Sequence, residues 1–154
     1  MRSAINPVGG TRMKRLLKLA VPLVIVLAGA FPAWASTGPS IRGGGSADDM
    51  TRFALAVSGG TGHFECLMPA VMTVQATVAG VDEATPASAA FHGVADVNLS
   101  AGNPFGLPAG PMAKGVSYTA TVRAGGPGKG FVDLEILGMS FAGSLVHGQI
   151  TITP

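Results

Sequence analysis

The stretch VSYTATVR, residues 116–123, alternates without a break: Val116, Tyr118, Ala120 and Val122 fall on one side, Ser117, Thr119, Thr121 and Arg123 on the other. Successive side chains of an extended chain point to opposite faces, so the pattern predicts a strand with one oily face. A helix also needs apolar residues three apart, a spacing absent here.

The same period extends in both directions from this segment. FVDLEIL (131–137) sets Val132, Leu134 and Ile136 inward, and VHGQITI (146–152) is expected to bury Val146, Ile150 and Ile152. Toward the amino end, AAFHGVADVNL (89–99) turns Phe91, Val97 and Leu99 inward, with Gly93 marking a bulge or bend. VMTVQATVA (71–79), HFECLM (63–68) and RFALAVS (52–58) alternate likewise. About seven short strands separated by Gly and Pro clusters predict an all-β domain over 51–154, a single antiparallel β-sandwich or small β-barrel. The pattern leaves both architectures open.

Two glycine clusters sit in matching contexts, FALAVSGGTGHF and YTATVRAGGPGKGF. The second invites a phosphate-binding reading. A P-loop requires G-x-x-x-x-G-K-[ST] leading from a strand into a helix, whose amides hold the anion. Here Lys129 is followed by Gly130 and by a segment that alternates as a strand, so both clusters are read as hairpin turns.

Ahead of the strands, LAVPLVIVLAGA (19–30) is preceded by Arg12, Lys14, Arg15 and Lys18 and followed by Ala33-Trp34-Ala35. A basic end, an apolar centre and small residues two apart are expected to form a cleavable signal peptide over 1–35. Met13 opens a complete signal by itself, so translation from Met1 or from Met13 both fit. Residues 36–50, rich in Gly, Ser and Pro, read as a flexible leader. The expected location is secreted, or extracellular, with no membrane span after cleavage.

Removing 1–35 reverses the charge. Five of the ten Lys and Arg lie there, while all eight Asp and Glu lie beyond it, so the remainder carries 5 minus 8, or −3. Nucleic acid is therefore not an expected partner. A single cysteine, Cys66, leaves no internal disulfide. Its register with Phe64 and Met68 predicts a buried side chain, with a free, reactive thiol as the alternative.

Chemistry-bearing patterns are sparse. Asp133 and Glu135 share the polar face of one strand and would suit a hydrolase, but catalytic carboxylates ordinarily come from different elements lining a cleft. GMSFAG (138–143) is one residue too long for a nucleophile elbow. His63, His92 and His147 stand on separate strands, so no metal or cofactor is expected. The irregular run 100–115 carries Phe105 and Leu107, either as a cover over the core or as contacts for a partner or ligand.

The runs TRFALAVSGGTGHFECLMPAVMTVQATV and AGGPGKGFVDLEILGMSFAGSLVHGQITI together resemble small secreted all-β proteins of high-GC Gram-positive bacteria. They are also similar to extracellular β-domains that accompany surface-anchored modules. The resemblance implies fold and location and transfers no site. The expected function is a non-enzymatic structural or interaction role with a protein or cell-surface partner. A barrel carrying an apolar ligand is the alternative, and a hydrolase using Asp133 and Glu135 comes third.

Overall fold

The computed structural model describes residues 38–48 and 51–154. The expected signal peptide, 1–35, lies outside the described residues. Eight strands follow one another: β1 (Ser40–Ala47), β2 (Thr51–Ser58), β3 (Thr61–Met68), β4 (Met72–Ala84), β5 (Ser88–Leu99), β6 (Gly110–Arg123), β7 (Phe131–Ile136) and β8 (Met139–Thr153). Each pairs antiparallel with its neighbour in sequence, and β8 pairs with β1, so the sheet closes as a barrel. Of the two architectures left open, the barrel is the one formed.

Alternation drives the closure. Phe53, Leu55 and Val57 of β2, Phe64 and Met68 of β3, and Leu134 and Ile136 of β7 are all buried. At the centre Phe64 stacks on Tyr118 at 6.1 Å between ring centroids, and Phe91 meets both edge-on at 5.9 and 6.4 Å. Each such side chain contributes about 2–3 kcal/mol by leaving water. The outward positions carry His63, Glu65, Gln75, Thr119 and Glu135, all exposed. A lipid-spanning barrel has the opposite arrangement, apolar outside and polar within. Among the described residues no helix is long and apolar enough to cross a membrane.

The leader expected over 36–50 needs correction, because Ser40–Ala47 forms β1; residues 36–37 and 49–50 lie outside the described residues. Gly43, Gly44 and Gly45 gave no alternation to read, yet they are what lets β1 fit. A Cβ on Gly43 would stand 2.6 Å from the Gln149 carbonyl oxygen, and one on Gly45 would overlap the His147 carbonyl. Across the pair, Gly148 has φ +96° and a Cβ there would overlap the Gly44 carbonyl, so the seam between first and last strands leaves no room for side chains at these positions. Ile41 and Ala47 are the buried side chains of β1.

β8 departs from its expected phase. Val146 is an extra residue, since Ser46 pairs with His147 and Ala47 with Leu145. This bulge exposes Val146 and buries Leu145 in its place. β8 also changes partner along its length: Met139–Ser144 pairs with β7, and the rest with β1.

The glycine clusters differ in use. Gly59 (φ 61°) and Gly60 (φ 84°) form the two-residue turn of the β2–β3 hairpin, with the positive φ values of a type I′ turn. Residues 124–130 do more than reverse the chain. Gly125 and Ile150 exchange both backbone bonds (2.9 and 3.0 Å), Gly128 donates to the Leu145 carbonyl (2.8 Å), and Leu145 donates to that of Gly130 (2.8 Å). The loop thus takes over beside β8 where β7 ends. Amides committed in this way cannot cradle phosphate.

Part of the β6 edge stays open. β7 pairs with β6 only along Tyr118–Arg123, so Gly110–Ser117 has β5 on one side and, among the described residues, no paired strand on the other. Pro111, Lys114 and two bulges against β5 interrupt that edge and discourage pairing with other chains.

Candidate functional site

The β1–β2, β3–β4, β5–β6 and β7–β8 connections gather at one end of the barrel. Among the described residues, five of the seven exposed large apolar side chains lie there: Phe105 (41%), Leu107 (49%), Met112 (42%), Leu137 (39%) and Leu67 (39%). The opposite end, built from residues 58–61, 84–88 and 123–131, has none of the seven.

Asn103, 6% exposed, fixes the two residues singled out in the sequence. Its side-chain nitrogen donates to the carbonyls of Ser100 (2.9 Å) and Leu107 (2.8 Å). Its side-chain oxygen accepts from the amides of Phe105 (3.2 Å) and Leu107 (3.4 Å). One amide group thereby satisfies four backbone groups of an otherwise irregular loop, the one that carries Phe105 and Leu107. Both are about half exposed. The sequence signal for this hub is Asn103 followed by Pro104, since Asn bonds readily to backbone a few residues on.

Backbone strain marks the same end. Among the described residues, the non-glycine positions with left-handed φ are Asp48 (54°), Ala70 (59°) and Leu137 (55°), all in turns of this rim. Leu137 occupies a turn position suited to Asn or Gly, at a cost of about 1 kcal/mol, and there it projects an apolar side chain.

The residues considered for catalysis lie on the outer wall. Asp133 accepts a bond from the Ser140 hydroxyl (3.0 Å), and Glu135 one from the Thr119 hydroxyl (3.4 Å). The Ser140–Asp133 bond lies exposed on this wall. Glu135 lines a groove of about 580 Å³ that also includes His92, Ser117, Thr119 and Ser140. Cys66 is buried, and burial pushes its thiol up to about 12. That fits the buried reading and removes the thiolate that reactivity requires.

One pair escaped the sequence. His92 Nδ1 lies 2.8 Å from Asp82 Oδ1. Ala79 and Asp82 are extra residues in β4, as the register against β5 shifts on either side of Gly80-Val81. The second bulge brings Asp82 to the imidazole, and Gly80 leaves room for the ring, since a Cβ there would meet its Cε1 at 2.8 Å. Among the described residues no group of three or more His, Cys, Asp or Glu side chains is arranged to hold a metal ion.

The fold defines the chain as a small up-and-down β-barrel with a side-chain-filled interior. Set against protein-family models, curated proteins and solved structures, the chain matches none.

Proposed function

We propose that this protein is a secreted, non-catalytic interaction domain that binds a protein partner at the cell surface or in the medium through the apolar rim carrying Phe105 and Leu107. The observation that carries this reading is the asymmetry of the barrel: five of the seven exposed large apolar side chains among the described residues gather at one end, two of them, Phe105 and Leu107, on a loop braced by a buried asparagine. Solvent-exposed loops gain nothing in stability from such residues, while interfaces draw their affinity from them. The filled centre, where Phe64, Phe91 and Tyr118 touch, favours a partner outside the barrel over an apolar ligand within it.

Two measurements test the proposal. Mass spectrometry of protein from culture medium should find the chain beginning at Ser36; a chain that retains residues 1–35 and stays with the cells removes the export reading. A photo-crosslinking residue at position 107 should give a discrete adduct in the producing culture, and one at position 60 should not. Equal adducts from both ends, or none from position 107, removes the rim.

A further inference from the structure

β8 leaves backbone unpaired on the side away from β7. Met139–Ser144 pairs with β7, but β1 meets β8 only from Leu145 onward, and Asp48 ends that contact by donating to the Ser144 carbonyl (3.1 Å). In an antiparallel sheet successive residues direct their backbone bonds to opposite sides of the strand. Leu145 turns both its N–H and its C=O toward the loop 124–130, on the β7 side, and Ser144 turns its carbonyl toward Asp48. The register against β7 runs unbroken from Met139 to Ser144. Ser140 and Ala142, both exposed, therefore point their N–H and C=O groups away from β7, where among the described residues no backbone group meets them.

This edge differs from that of β6, which Pro111, Lys114 and two bulges guard. Residues 139–143, MSFAG, carry no charge, no proline and no bulge. An unguarded edge of that kind is a template for another strand. It also fits itself. An antiparallel copy centred on Phe141 sets Ser140 against the partner subunit's Ala142, and Ala142 against the partner subunit's Ser140, so that every free N–H and C=O of the two residues finds its complement. A two-fold centred on Ser140 would call on Gly138 in the hairpin turn, and one centred on Ala142 would call on the Ser144 carbonyl that Asp48 occupies. With the axis at Phe141 the two rings meet at a position without hydrogen bonds, where opposed side chains stand nearest and aromatic pairs add stability. Charge does not oppose the contact. Asp133 and Glu135, one strand in, would stand three strand spacings from their counterparts, about 14 Å, and the two Asp48 six residues apart along the pair, about 20 Å, both beyond the screening length of about 8 Å at physiological salt.

We infer that β8 is the contact strand of a symmetric homodimer, in which residues 139–143 pair antiparallel with the same residues of a second copy and the sheets of two barrels run on as one. Five residues a side is far below the roughly 20 of a standard interface. The dimer is therefore weak, with a Kd of about 0.1–1 mM.

The test is the concentration dependence, from about 0.02 to 2 mM, of protein purified from its producing culture. Sedimentation should show a monomer giving way to a dimer, and in NMR spectra the amides of Ser140 and Ala142 should shift and exchange more slowly with solvent as the dimer forms. Ala142→Pro removes a free N–H, spares every bond to β7 and should hold the chain monomeric throughout. Where that variant fails to fold, Ala142→Lys serves instead: it sets two like charges about 7 Å apart across the two-fold and should weaken association about tenfold or more. Phe105→Ser should leave association unchanged, which separates this contact from the rim. A chain still monomeric at about 2 mM overturns the inference. So does a dimer that persists undiminished in both Ala142 variants, one lost in Phe105→Ser, or a ladder of larger species, which would mean that β8 pairs with the β6 edge of the next chain.

Discussion

Replacing Tyr118 by Phe removes a hydroxyl from the centre of the barrel and should stabilise the protein. Tyr118 is 2% exposed, and its hydroxyl has no hydrogen-bond partner among the described residues. A buried hydroxyl left unpaired costs about 1–3 kcal/mol. The substitution leaves a void of roughly 10 Å³, worth about 0.2 kcal/mol at the usual penalty per volume. The ring contacts with Phe64 and Phe91 survive intact. The net gain is about 1–3 kcal/mol, which at about 4 °C per kcal/mol raises the melting temperature by roughly 4–12 °C. Burial also pushes the phenol up from 10.0 to about 12, so the fold favours the protonated form. The wild-type protein then loses stability as the pH climbs from 10 toward 12, and the variant is spared that part of the loss. Urea melts at pH 7 and pH 11 measure both effects, with the gap between the two proteins wider at pH 11. A lower midpoint for Tyr118→Phe at pH 7 would mean the hydroxyl is bonded and would refute the reasoning.

Three further outcomes follow from the packing. Alkylation of Cys66 without denaturant should run about 100-fold or more below the rate in urea, because labelling waits on an opening of roughly 3 kcal/mol; rapid native labelling would contradict its burial. Gly148→Ala should cost about 3 kcal/mol or more, as it combines a strained φ with a clash against the Gly44 backbone, whereas Gly60→Ala, in open space, should cost about 1 kcal/mol; equal denaturation midpoints would show that the seam tolerates a side chain. Asn103→Ala should cost about 2 kcal/mol and speed hydrogen exchange at the amides of Phe105 and Leu107, and unchanged protection there would mean that the loop is ordered by something else.

The barrel was legible wherever a strand contributes its own side chains to the interior. Tyr118, Ala120 and Val122 announce β6, and Leu134 and Ile136 announce β7, because burial on one face demands a period of two. β1 was not legible, for its fit depends on Gly43, Gly44 and Gly45 having no side chain, and a row of glycines reads as a linker. Val146 was assigned to the wrong face because a single inserted residue resets the phase of everything beside it. The same physics hid Asp82 and His92: ten residues apart, they meet only because two bulges shift one strand against the next. Phe105 and Leu107 stood out by their apolar character in a loop rich in Gly and Pro. That Asn103 orders the backbone carrying them could not be read from composition.

The pairing of Ser40 with Thr153 gives the molecule an order of assembly. A chain delivered amino end first holds its opening strand ready long before the final fifteen residues exist to dock against it. Until they arrive, the cylinder stands ajar along one side, and its hydrophobic lining has no lid. Cooperative closure of the sheet therefore waits on the last strand.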